Sequence, residues 1–355
     1  MAFALMTTKN TFTVGPGIIQ KGDNKETCSV SRNTTEKFFY SNNPEHLDSG
    51  KSLADDGFWL ARELISGNGH LYTWHINKTG RSIHSNILLY NPGSSNVSIT
   101  FSNIGLTNGA GSDRSAWINY YNNTSGSKTF TLKPQQFLSP DVLQSTVANG
   151  KMFGKIARFS ISGGSLYIYD LAYDTNSGGA TSPAPKNPKV ISPTRGLGNG
   201  FYETMNVTLT LTDTAATQSF SLGGDWAAQQ IKDDSFSGND LIPIVDSSKN
   251  FSSDKDASYD LYGNFGVQMR INLTIDNQCK VGTHGKRVRI FIGKAVIPFC
   301  RYNKQFFAAK TDCLGNEYID VLYNDNMPSG KTTVTFDMVV PATSSAPVYV
   351  GARWV

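Results

Sequence analysis

At 355 residues the chain is long enough for two domains, each able to bury its own core. Charged residues make up 17% and the net charge is +4, which excludes a polybasic nucleic-acid binder and a self-repelling disordered chain alike. No run approaches the roughly 20 apolar residues of a membrane-spanning helix, so the chain is expected to be soluble, with no membrane insertion.

Gly, Ser, Thr and Asn are abundant and aromatic residues reach 11%, a mixture that favours short strands joined by turns over helices. The opening Met1-Ala2-Phe3-Ala4-Leu5-Met6 is apolar but shorter than a signal h-region of about 7–15 residues, and nothing basic precedes it. Either the chain has been processed or it leaves the cell by a route other than the general secretion pathway, for instance by lysis of the cell that made it. The expected location is extracellular, on a spore or cell surface.

Residues 1–36 read as an extended N-terminal arm. Thr11-Phe12-Thr13-Val14 alternates like a strand, Gly15-Pro16-Gly17 breaks it, and the polar run up to Cys28 has no apolar periodicity. Such a segment makes no core of its own, so Phe12, Val14 and Cys28 are candidates for a strand lent to a neighbouring subunit.

A first β-domain is expected over 37–175. Leu71 to Ile76, Ile83 to Tyr90 and Val97 to Phe101 read as strands closed by Asn77-Lys78-Thr79-Gly80 and Asn91-Pro92-Gly93. Trp117 to Tyr121 opens a helix or an irregular cover. Phe153 to Ile161 and Ser165 to Leu171 are strands around Gly163-Gly164, which reads as a hairpin turn. Residues 176–200, with Pro183, Pro185, Pro188 and Pro193, form a semi-stiff linker.

A second β-domain follows over 201–355. Its clearest strand lies between Tyr262 and Asp276, where Val267, Met269, Ile271, Leu273 and Ile275 alternate with polar residues. The fold class is therefore all-β: two antiparallel β-sandwich domains, jelly-roll or Ig-like, behind an N-terminal arm.

Catalytic signals are weak. His70, His75 and His84 fall close together, but a working pair needs both rings on one face and a carboxylate to orient them. There is no Gly-x-Ser-x-Gly elbow, and Asp170, Asp174, Glu203 and Asp260 are the carboxylates from which a glycosidase pair would have to be drawn. The expectation is no catalytic residue, no metal, no cofactor and no nucleic-acid partner; the protein is read as not an enzyme.

The cysteines, Cys28, Cys279, Cys300 and Cys313, form no C-x-x-C pair. Either they are buried thiols, or two of Cys279, Cys300 and Cys313 form a disulfide and Cys28 is left for a cross-link within or between chains. Trp74, Trp117, Tyr120, Tyr121 and Trp226 belong either to the core or to a flat platform for sugar rings or subunit contacts.

Phe38-Phe39-Tyr40-Ser41-Asn42-Asn43-Pro44-Glu45, Leu71 to His75, Leu88 to Pro92, Gly105-Leu106 and Tyr262 to Val267 resemble a family of secreted or surface proteins of spore-forming Firmicutes. Members often stand beside a stalk-like domain labelled copper amine oxidase N-terminal-like, which this chain lacks, so no copper site is implied. The likeness spans Lys37 to Val355. It implies β-rich modules in a cell- or spore-associated setting and brings no catalytic motif. The expected function is a structural protein self-assembling into a fibre, layer or crystal, partnered by itself; the alternative is a carbohydrate-binding or adhesive module for a surface glycan.

Overall fold

A computed structural model of the chain describes residues 3–7, 11–13, 28–42, 45–48, 58–109, 113–174, 189–190, 199–212, 217–222, 230–232, 266–277, 287–293, 299–308, 317–341 and 348–354. Nearly all of it is strand, in several largely antiparallel sheets, a sandwich-like all-β fold. In chain order the strands begin with β1 (Ala4–Leu5), β2 (Thr11–Thr13), β3 (Cys28–Ser41), β4 (His46–Asp48), β5 (Phe58–Ile65), β6 (Asn68–Lys78), β7 (Ile83–Tyr90) and β8 (Val97–Asn108). Helix α1 (Arg114–Asn122) leads to β9 (Ser127–Leu132), β10 (Phe137–Leu138), β11 (Ser145–Val147), β12 (Met152–Ser162), β13 (Leu166–Asp174), β14 (Lys189–Val190), β15 (Asn199–Thr212), β16 (Thr217–Leu222) and β17 (Gln230–Lys232). The last strands are β18 (Met269–Asn277), β19 (Val288–Gly293), β20 (Phe299–Tyr302), β21 (Gln305–Ala308), β22 (Glu317–Asn324), β23 (Gly330–Val339) and β24 (Val348–Trp354).

The chain divides into two compact units. The first holds Thr34–Glu203 and Gln229–Asp260; the second holds Met1–Asn33, Thr204–Ala228 and Leu261–Val355. The N-terminal residues thus belong to the unit of the C-terminal strands. Backbone pairing explains this: β1 and β2 both hydrogen-bond antiparallel to β22, with Ala4 opposite Tyr323 and Phe12 opposite Tyr318. Of the arm residues, Val14 lies outside the described residues, and Cys28 begins β3.

In the first unit, one sheet runs β10-β7-β13-β5-β14 with β11 also on β7. The other carries β3-β6-β12-β8-β9 with β4 also on β6. Pairing is antiparallel except where β3 and β4 meet β6 and β14 meets β5. Apolar residues from both sheets, including Phe39, Leu71, Ile87, Ile99, Phe159 and Ile168, fill one large buried cluster.

Gly163-Gly164 does not make a hairpin turn. β12 pairs with β6 and β8, and β13 pairs with β5 and β7, so the chain passes from one sheet to the other at this point. Gly163 has φ +87 and Gly164 φ +159, and a Cβ on Gly163 would sit 2.8 Å from the Asn96 carbonyl oxygen. A tight backbone corner of this kind favours glycine. Its consequence is that β12 and β13, adjacent in sequence, lie in different sheets.

Helix α1 covers the outer face of the β3–β6–β12–β8 layer, because Trp117 meets Tyr72, which points away from the core side taken by Leu71. Gly105 on β8 permits this approach: a Cβ there would lie 2.0 Å from the Ala116 carbonyl oxygen. Gly105→Ala is expected to lower stability by about 1–3 kcal/mol, read by urea denaturation, because backbone must move to admit the methyl group.

In the second unit, one sheet runs β1-β22-β19-β24-β16 and the other carries β21-β20-β23-β18-β15. Of the stretch expected to alternate between Tyr262 and Asp276, residues 262–265 lie outside the described residues and the strand begins at Met269; from there Met269, Ile271, Leu273 and Ile275 are buried and Arg270 is exposed. Across from β18, β23 supplies buried Val334, Phe336 and Met338 on one face and polar partners on the other. Arg270 pairs with Asp337 at 3.0 Å, Asn272 accepts from Thr335 at 2.9 Å and Thr274 meets Thr333 at 2.8 Å. Such cross-strand pairs fix the register of a half-solvated sheet.

Candidate functional site

Three strands of the first unit carry the same interruption of an apolar face. On β7 the order is Ile83, Ser85, Ile87; on β12 it is Phe153, Lys155, Ala157; on β13 it is Ile168, Asp170, Ala172. Ile83, Phe153 and Ala172 belong to one buried cluster, and Ile87, Ala157 and Ile168 to another. The polar residues therefore mark a seam between two parts of the core. His75 from β6 and Ser41 from β3 complete the group, and all five side chains are fully buried.

His75 Nε2 lies 3.0 Å from Asp170 Oδ2 and 3.3 Å from Ser41 Oγ. Lys155 Nζ lies 3.7 Å from Asp170 Oδ1, donates a hydrogen bond to Ser85 Oγ, and stands 5.9 Å from the centre of the Phe153 ring. Burial pushes the Lys155 ammonium below the usual lysine range, with Asp170 opposing. Burial also pushes the Asp170 carboxyl up, but Lys155, His75 and Ser41 more than offset this and hold it below the usual carboxylate range. The lysine therefore holds its proton less firmly than an exposed one does, beside a carboxylate held in its charged form.

Ser41, His75 and Asp170 resemble a hydrolytic triad only in composition. In a working triad the imidazole meets serine through one nitrogen and aspartate through the other. Here Ser41 and Asp170 both meet Nε2, and substrate would have to enter a sealed core to reach them. His75 and His84 stand on strands of different sheets, with His84 Nδ1 3.0 Å from Thr146 Oγ1. His70 stacks on Phe38 at 4.4 Å. The three histidines do not share a site. Among the described residues, no group of three or more His, Cys, Asp or Glu is placed to hold a metal ion, and no helix is long and apolar enough to cross a membrane.

The aromatic residues offered as a platform form a buried cluster instead. Trp74, Trp117 and Tyr120 are buried and Tyr121 is half-buried. Trp117 Nε1 donates to Asp113 Oδ2 at 2.8 Å, and Tyr72 Oη donates to the same oxygen at 2.5 Å. Trp74 Nε1 donates to Tyr40 Oη at 3.1 Å, and burial pushes the Tyr40 hydroxyl above the usual tyrosine range. For Trp117, Tyr120 and Tyr72 the physical reason is α1, which packs on the outer face of the sheet at Tyr72; Trp74 instead packs beside Tyr40 of β3. Trp226 lies outside the described residues.

Neither a family model nor a curated protein matches the chain. Solved structures match only weakly. HutD from Pseudomonas fluorescens SBW25 is 7% identical with a TM-score of 0.14, covering 100% of both chains. The PBSX exported protein XepA is 9% identical with a TM-score of 0.18, covering 85% of this chain and 87% of its own. The mannose 6-phosphate isomerase from Bacillus subtilis is 8% identical with a TM-score of 0.14, over 82% and 74%. Likenesses this weak bear on neither topology nor function.

Cys300 is a buried free thiol, which removes it from a disulfide with Cys279 or Cys313; those two lie outside the described residues. Burial, with Asp337 adding to it, pushes the Cys300 thiol above the usual cysteine range, so it is a poor nucleophile. Of the four carboxylates considered, Asp170 joins the buried group, Asp174 and Glu203 lie on β13 and β15, and Asp260 is outside the described residues. Lys155 was missed by sequence reasoning. Its signal is present, since it sits in phase with Phe153, Ala157, Phe159 and Ile161, where a strand pattern calls for an apolar residue.

Proposed function

We propose that the protein is a non-enzymatic structural protein that assembles with copies of itself on a bacterial cell or spore surface, its N-terminal segment serving as connector. The observation that carries this reading is the placement of β1 and β2 on β22. Two strands of two and three residues complete a sheet edge through backbone hydrogen bonds. A segment held this way can leave its own β22 and add to the same edge of a neighbour in the same register, because the bonds are main-chain bonds. The sealed position of Lys155, His75 and Asp170 also favours a structural role over turnover of a diffusing substrate. The surface setting rests on the family resemblance of the Phe38 to Glu45 and Leu71 to His75 segments.

Deleting residues 1–27 tests the reading. Full-length chains are expected to form assemblies visible by light scattering and electron microscopy, and truncated chains to remain folded monomers. Assemblies of unchanged size after the deletion would overturn the connector role. The carbohydrate-binding alternative has lost three of its platform residues to the core, and no other observation favours it.

A further inference from the structure

We infer that Lys155 and Asp170 are a site of self-catalysed covalent modification, at which an amide bond forms between Lys155 Nζ and Asp170 Cγ and ties the two sheets of the first unit together. The two groups face each other from β12 and β13, strands that the Gly163-Gly164 corner sends into different sheets. Nζ stands 3.7 Å from Oδ1, which places the amine beside the carboxyl group whose carbon it would attack. Oδ1 accepts no hydrogen bond, so the lysine side of the carboxyl is open to approach. The opposite oxygen, Oδ2, is the one in contact with His75.

This arrangement divides the work between two oxygens. Starting from ammonium and carboxylate, one proton passes from Nζ to the Asp170 carboxylate, where it ends on Oδ2, and the free amine attacks Cγ. His75 hands a proton to Oδ2 as the Cγ–Oδ2 bond breaks, and is restored by the proton that the new amide nitrogen sheds. Two of the three Nζ protons thus depart with Oδ2 as water, the third stays on the amide, and Oδ1 becomes its carbonyl oxygen. Nothing is oxidised or reduced, and no outside reactant is required.

The surroundings favour the step and its product. Burial already weakens the hold of Lys155 on its proton, and amide formation removes both charges from the apolar seam. All participating side chains stand on paired strands, which fixes their orientation without a further ordering cost. Full burial keeps bulk water from hydrolysing the bond once formed. An ion pair alone would leave the same groups costly to bury, which is weak ground for placing a lysine here.

Intact-mass measurement on the full-length, folded protein after denaturation decides the matter. The expected chain is one water lighter than its sequence requires, and digestion followed by tandem mass spectrometry yields a branched peptide joined at Lys155 and Asp170. Lys155→Arg and Asp170→Ala are expected at full sequence mass, and His75→Phe to accumulate the bond more slowly than the native chain. A native chain at full mass would overturn the inference, as would a water loss that maps elsewhere, for instance to a succinimide. A native chain that loses water here while His75→Phe reacts at the same rate would overturn the proton-transfer role of His75. Because the readout is mass, it stands whether or not any variant folds.

Discussion

Replacement of Lys155 by methionine is expected to lower stability by about 3–5 kcal/mol, because it leaves Asp170 ionised in the core without its cation. If the amide bond is present, the variant also loses a cross-link closing a loop of roughly 15 residues, worth about 3 kcal/mol more by analogy with a disulfide. The double variant Lys155→Met/Asp170→Leu separates the two contributions. It removes both charges, so an ion pair alone would be replaced at little cost or with some gain. A double variant that stays about 3 kcal/mol below the native chain in urea denaturation points to the lost cross-link instead.

The single variant also carries a pH signature. Asp170 is held below the usual range by Lys155 first among its partners, against the upward push of burial. Without Lys155 the upward push of burial on Asp170 is left unopposed by its main cation, so the folded state takes up a proton at Asp170 that the unfolded chain does not. Stability then falls as pH rises, and the deficit of Lys155→Met should be largest near about pH 8 and shrink toward about pH 5. A deficit that grows on acidification would show that the missing partner was not a cation.

Much of the fold was legible because strand periodicity is local. The buried Met269, Ile271, Leu273 and Ile275 and the exposed Arg270 follow directly from alternation, as does the apolar face of β12. What alternation does not contain is the partner of each strand. Gly163-Gly164 carries the residue types of a hairpin turn, yet the chain uses it to change sheets, and only that change brings Lys155 opposite Asp170. The aromatic residues show the same gap. Trp74 and Tyr72 lie on the outer face of their sheet, where a platform would lie, and Tyr72 is met there by Trp117 of α1, an element the sequence left open between a helix and an irregular cover. The N-terminal strands are a third case. Thr11 to Thr13 reads as a strand, but its place on β22 depends on residues about three hundred positions away.

Trp117 supplies the second large effect. Among the described residues it is the largest fully buried side chain, with its ring 5.1 Å from Tyr72 and 5.5 Å from Tyr120, the latter edge to face. Trp117→Ala is expected to cost about 3–5 kcal/mol in lost packing and cavity formation. Trp117→Phe keeps most of the apolar area and removes only the Nε1 donor to Asp113, so its expected cost is about 1–3 kcal/mol. Asp113 still receives the Tyr72 hydroxyl in that variant, which is why the smaller figure applies. Thermal denaturation followed by far-ultraviolet circular dichroism orders the three proteins without relying on the tryptophan signal that the substitutions remove. If Trp117→Ala melted with the native chain, α1 would not be the roof of this cluster, and the outer face of the sheet would again be open to a ligand.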